Sequence, residues 1–150
     1  LARLERLNEA FMIGVCRRHD LSPSELRVLA MLRHRAENRE VSPSVLARWI
    51  VQTSGGLTAT LRRLEESGHV ERVADPDDGR GRLVRLTDRG AERYEDVFAD
   101  LTRRYGVVFA DLDQVAALET VRSIIGAFEE HEDIGRTGDW QADLTMEALA

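Results

Sequence analysis

Between residues 75 and 81 the chain reads Asp75-Pro76-Asp77-Asp78-Gly79-Arg80-Gly81, a stretch so dense in turn formers that no regular element can cross it. The short segments on either side, 69–74 and 82–86, carry Val and Leu at strand-like spacing, with Val84 and Leu86 two apart. Strand, polar tip, strand predicts a β-hairpin. Just upstream, Ser42-Pro43 predicts the start of a short helix running to about Ile50. Val51-Gln52-Thr53 then leaves room only for a tight turn. A helix starting at Thr53 or Ser54 follows, with Leu57, Leu61 and Leu64 on one stripe and Gly68 placed to stop it. Residues 42–67 are therefore expected to be two helices joined by a tight turn, and the hairpin comes next.

The same signals organise the rest of the chain. Ser22-Pro23-Ser24-Glu25 predicts a capped helix start, Glu25 completing a capping box, for a helix that buries Leu26, Leu29, Ala30 and Leu32 and ends near 35–38. Leu4, Leu7, Phe11 and Val15 mark an N-terminal helix ending near His19. Thr87-Asp88 caps a long helix over 88–110, with Tyr94, Val97, Leu101, Tyr105 and Val108 at helical spacing. Asp113 caps a last helix carrying Val115, Leu118, Val121, Ile125 and Phe128, and Trp49 is expected to pack in the short helix. The fold class is mainly α with a small β-hairpin wing. Its expected parts are an N-terminal helix (1–20), a winged helix-turn-helix (21–90), C-terminal helices (91–134) and a tail (135–150).

Composition narrows the function. With 150 residues and 43% hydrophobic side chains the chain has room for one core with a helical appendage. No apolar run approaches the roughly 18 residues of a membrane span, so no membrane partner is expected and a cytoplasmic location is the default. The single cysteine, Cys16, leaves no internal disulfide and no Cys-rich zinc site. No cofactor is expected. Nor is an enzyme, for there is no phosphate-binding glycine loop, no paired cysteine and no nucleophile motif. The formal net charge is -6, which argues against an indiscriminate nucleic-acid binder. The charge is uneven, however: residues 1–20 carry +1, 21–90 carry +2 and 91–150 carry -9. A polyanion partner should meet the middle of the chain.

A B-DNA major groove accepts one α-helix whose far side packs on its own domain. With Leu57, Leu61 and Leu64 turned inward, Gly55, Thr58, Ala59, Arg62 and Glu66 fall on the opposite face, with Arg63 at its edge. Small residues at the start of that face let the helix N-terminus approach phosphates closely, and Thr58 and Arg62 are its candidates for touching base edges. At the hairpin tip Asp78 and Arg80 are two apart, so the carboxylate can hold the guanidinium in one pose. An arginine pre-positioned there suits a narrow, electronegative minor groove, with Arg82 and Arg85 alongside for phosphates. An ordinary solvated helix face and a polar turn with a weak ion pair remain open as alternatives.

Gly68-His69-Val70-Glu71-Arg72, the 75–80 run, Leu83-Val84-Arg85-Leu86-Thr87 and Gly90 together resemble the wing signature of MarR-family transcription regulators. With Leu21-Ser22-Pro23-Ser24-Glu25-Leu26-Arg27-Val28-Leu29 and Leu46-Ala47, the resemblance covers about residues 21–90. It implies a winged-helix homodimer built through the first and last helices, binding double-stranded DNA at a pseudo-palindromic operator. A repressor released by a small aromatic effector is the function it suggests. By motif, Asp78 and Arg80 match the family's wing Asp-x-Arg pair. Thr53, Ser54, Gly55, Thr58, Arg62 and Arg63 fall in the recognition helix, and Arg72, Arg82 and Arg85 complete the expected DNA-binding set. Gly79 stands where many members have a further Arg, and Ala59 where a polar side chain is common. The resemblance places an effector cleft between the dimer helices and the winged domain, with Phe11, Met12 and Val15 as its candidate lining.

Two rival readings stay open on the sequence. One is a winged-helix protein-interaction module that binds no operator, which the acidic balance favours. The other is a redox-responsive regulator using Cys16, whose neighbours Arg17, Arg18 and His19 would lower a thiol pKa; a small, partly buried side chain is the plainer reading. Glu129-Glu130-His131-Glu132-Asp133 is read as a solvated acidic helix end rather than a metal site.

Overall fold

The computed structural model describes residues 2–50, 54–76, 78 and 81–131. It divides into two compact units, residues 1–103 and 104–150.

The first unit opens with α1 (Ala2–Arg18) and α2 (Pro23–His34). The expected capping box starts α2: the Ser22 backbone N–H donates to Glu25 Oε2 at 2.7 Å, and the Glu25 N–H donates back to Ser22 Oγ at 3.2 Å. Beyond a 3-10 turn at Glu37–Arg39 come a two-residue strand β1 (Glu40–Val41) and α3 (Pro43–Trp49), capped by Ser42. Next are α4 (Ser54–Glu66), β2 (Val70–Ala74), β3 (Arg82–Leu86) and α5 (Asp88–Val108), which continues into the second unit. Gly68, with φ +72°, ends α4 in the left-handed conformation that glycine adopts without steric cost.

The expected hairpin is present as the antiparallel β2–β3 pair, and β1 adds a third strand on the other side of β3, giving the order β1-β3-β2 with both pairings antiparallel. Residues Asn38 and Arg39, at φ +52° and +61°, turn the chain so that Glu40 and Val41 pair with Arg85 and Val84. Two residues are too few to show a period of two, so β1 left no pattern in the sequence.

The core of this unit gathers Val15 and Cys16 from α1, Val28, Leu29 and Leu32 from α2, Leu46 from α3, Leu61 and Leu64 from α4, Val84 from β3 and Val97 from α5. Each such aliphatic side chain contributes roughly 1.5–3 kcal/mol by leaving water. The end of α1 is tied to α5 by His19 Nε2 and the buried Asp100 carboxylate, 3.3 Å apart. Trp49 is partly buried, with the Arg35 guanidinium 5.6 Å from its ring centre.

The described part of the second unit holds the end of α5 and α6 (Gln114–His131), which Asp113 caps by accepting from the Ala116 N–H at 3.1 Å. Its apolar residues are unusually open. Val107, Leu112, Val115 and Val121 are all about half or more exposed. Among the described residues no helix is long and apolar enough to cross a membrane, and no group of His, Cys, Asp and Glu is placed to hold a metal ion. The candidate cluster at 129–133 falls largely outside the described side chains, and residues 132–150, with Trp140, lie outside the described residues.

Candidate nucleic-acid interface

The outward face of α4 follows from what its inward face buries. Leu57, Leu61 and Leu64 are 4%, 1% and 0% exposed, so the helix has one rotational setting, and Gly55, Thr58, Ala59, Arg62 and Glu66 are left in solvent. Gly55, Thr58, Ala59 and Arg62 share one open stretch of the helix surface. Ser54 begins the helix, while Thr53 and the 51–53 connection lie outside the described residues. Thr60 is buried and returns its hydroxyl proton to the Gly56 carbonyl at 3.0 Å, so it takes no part in the outward face.

Arg63 is differently engaged. Its Nε donates to Glu25 Oε1 at 2.9 Å, so the carboxylate that closes the α2 capping box also anchors α4. Burial alone would raise the Glu25 carboxyl, but the Ser22 hydrogen bonds and the Arg63 guanidinium together hold it below the usual carboxylate range. The two residues are 38 apart in the chain, and no local sequence signal announces their meeting.

The wing is built on the β2–β3 ladder, with Arg72 opposite Val84 and Glu71 opposite Arg85. Arg85 donates to Glu71 Oε1 at 2.9 Å and lies 3.8 Å from Glu40 on β1, so a carboxylate, a guanidinium and a carboxylate cross the three strands. Arg72 pairs with Glu65 of α4. At the tip the Asp75 N–H donates to the Gly81 carbonyl at 3.2 Å and the Gly81 N–H to the Asp78 carbonyl at 2.8 Å. Gly81 is needed there, since a Cβ would come within 2.9 Å of the Asp75 Cβ. Asp78 is exposed at this closed tip, and Arg82 is exposed at the base of the tip. Asp77, Gly79 and Arg80 lie outside the described residues, and with them the expected Asp78–Arg80 pairing.

At the wing root sits a polar side chain that sequence reading passed over. His69 is 5% exposed, and Nε2 of its ring has no hydrogen-bond partner among the described residues. Ser67 Oγ donates to the Leu64 carbonyl at 3.1 Å and lies 2.8 Å from His69 Nδ1. Burial first, then the nearby Arg93 and Arg89 guanidiniums, lower the His69 pKa, with Glu25 opposing them. The neutral ring is the form this pocket favours.

The remaining candidates lie in α1. Phe11 and Met12 are partly buried, whereas Val15 is 1% exposed and belongs to the packed core. Cys16 is fully buried, and burial pushes its thiol pKa up. That is the reverse of the lowering expected from Arg17 and Arg18, both of which point into solvent. A buried thiol with a raised pKa supplies little thiolate to an oxidant.

Known proteins share this arrangement. A family model described as MarR family matches residues 19–81. The multiple antibiotic resistance protein MarR of Escherichia coli (strain K12) is 33% identical over 108 residues, covering 67% of this chain and 69% of that protein. The uncharacterised HTH-type transcriptional regulator YdgJ of Bacillus subtilis (strain 168) is 41% identical over 75 residues, covering 50% of this chain but less than half, 44%, of that relative. A crystal structure of a mutant E. coli MarR complexed with operator DNA superposes with a TM-score of 0.68 at 26% identity, covering 83% of this chain and 89% of that one.

Proposed function

The chain belongs to the MarR family, and from that premise we propose that it is a homodimeric repressor that binds a pseudo-palindromic DNA operator and is released by a small aromatic ligand. The observation that carries the DNA-binding part is the outward face of α4. It is a helix surface of glycine, threonine, alanine and one long arginine, with Glu66 at its far end, backed by three buried leucines. Such a face enters a major groove without steric conflict, and Thr58 and Arg62 reach base edges from it. Gly55 and the start of the helix approach the phosphates. In the wing, Arg80 is assigned to the minor groove with Asp78 as its expected partner, and Arg82 to phosphate. The operator-bound E. coli relative supports DNA binding by a chain of this fold.

Dimerisation rests on the open apolar residues of the second unit, Val107, Leu112, Val115 and Val121 among them, which a second copy would cover. Two recognition helices would then meet successive major grooves about 34–36 Å apart. Phe11 and Met12 are the residues of α1 available to an effector. The test is selection of bound fragments from the source genome near 0.15 M salt, with Arg80→Ala in parallel. Recovery of a pseudo-palindrome by the parent, weakened in the variant, supports the proposal. If refolded, effector-free protein enriches no sequence, the operator reading fails and a protein-interaction module takes its place.

A further inference from the structure

Of the arginines proposed for the DNA face, Arg62, Arg63, Arg72, Arg82 and Arg85 lie among the described residues, and four of these five stand within 4 Å of a carboxylate. Arg62 Nε is 3.6 Å from Glu66 Oε1, one helical turn on. Arg63 is held by Glu25, Arg72 by Glu65, and Arg85 by Glu71 with Glu40 behind it. The four paired guanidiniums therefore meet five carboxylates, Glu25, Glu40, Glu65, Glu66 and Glu71. Only Arg82 has no ion pair among the described residues.

Sequence-independent DNA affinity comes from cations that displace condensed counterions from phosphates. A guanidinium already matched by a carboxylate contributes little to that exchange. To reach a phosphate it must leave its partner, and the stranded carboxylate then faces the polyanion. Resting on the DNA-binding reading above, we propose that Glu65 and Glu71 are neutralising residues that withhold Arg72 and Arg85 from phosphate and so keep non-specific DNA binding weak. The two pairs suit this role by position. Glu65–Arg72 bridges the recognition helix to the wing strand, and Glu71–Arg85 lies in register across the wing ladder, so neither guanidinium can swing out without breaking a contact between elements. The phosphate grip is left to Arg82 and the wing tip.

The test is the salt dependence of binding to a random-sequence duplex, measured for the parent, the double variant Glu65→Gln/Glu71→Gln and the control Glu119→Gln. Glutamine keeps the hydrogen-bond acceptor and removes the charge, and unchanged melting of each variant confirms the fold. Glu119 lies exposed on α6 and takes part in none of the arginine pairs named above, and its substitution changes the charge in the same sense. The double variant should show a slope of log K against log salt steeper by about 0.9 for Arg72 and by a smaller amount for Arg85, which keeps Glu40 3.8 Å away, and random-duplex affinity higher by roughly several-fold. The Glu119→Gln protein should follow the parent. An unchanged slope in the double variant, or an equal gain in the control, overturns the proposal. If neither parent nor double variant binds any duplex even at low salt, it is the DNA-binding function that falls, and this proposal with it.

Discussion

Helices α4 and α6 carry similar apolar stripes and use them in opposite ways. In α4 the leucines are covered by the chain's own core, with Leu57 the most open at 4%. In α6, Val115 is 70% exposed and even Leu118 is 37% exposed. A helix whose apolar side is satisfied internally does its work with the polar side it presents. One whose apolar side remains in water has a surface to offer a partner. A periodic apolar pattern thus predicts a helix and the direction of its stripe, but not whether the stripe meets the core or a partner.

The largest expected effects break this comparison directly. Leu64→Ala should destabilise the folded chain by about 2–5 kcal/mol, because the site is fully enclosed and cannot collapse around the loss. Val121→Asp, at a half-exposed position of α6, should instead leave far-ultraviolet circular dichroism intact and shift sedimentation equilibrium towards monomer. If both changes were to act on monomer stability alone, the distinction between the two helices would be lost.

A smaller effect concerns the wing root. Because the folded state lowers the His69 pKa, the folded chain resists protonation that the unfolded chain accepts. The stability this represents is fully present above pH 6.5, the unfolded value, and is lost as pH falls from there towards the lowered folded value. The slope is at most about 1.4 kcal/mol per pH unit for one such group. Melting temperatures between pH 7.5 and 5.5 should therefore fall for the parent and fall less for His69→Leu. Equal slopes would mean that the orphaned Nε2 does not govern the acid response.

Much of the architecture was legible because its signals are local. The Ser22–Glu25 capping box, the Gly68 stop, the Asp113 cap and the strand–tip–strand pattern each involve residues a few positions apart. So does the α4 stripe, from which the outward set of Gly55, Thr58, Ala59 and Arg62 follows by rotation. What stayed hidden depends on distant parts of the chain. Strand β1 exists only because β3 offers it an edge, and Arg63 is drawn to Glu25 across 38 positions. The fate of Arg85 was closer to reach: once the hairpin register is set, Glu71 must stand opposite it. Sequence reading counted arginines as available charge, whereas the fold gives most of the described ones on this face a carboxylate.

The central claim is that the outward face of α4 reads DNA while its inward face only packs, and Arg62→Ala addresses it most directly. Arg62 is 74% exposed at the side chain and makes only a long contact to Glu66, so its removal should leave the melting temperature within about a degree or two of the parent. Affinity for the selected operator should fall roughly tenfold or more, the cost of about 1–3 kcal/mol for losing one base-reading side chain. Unaltered operator affinity in a folded Arg62→Ala protein would contradict the account.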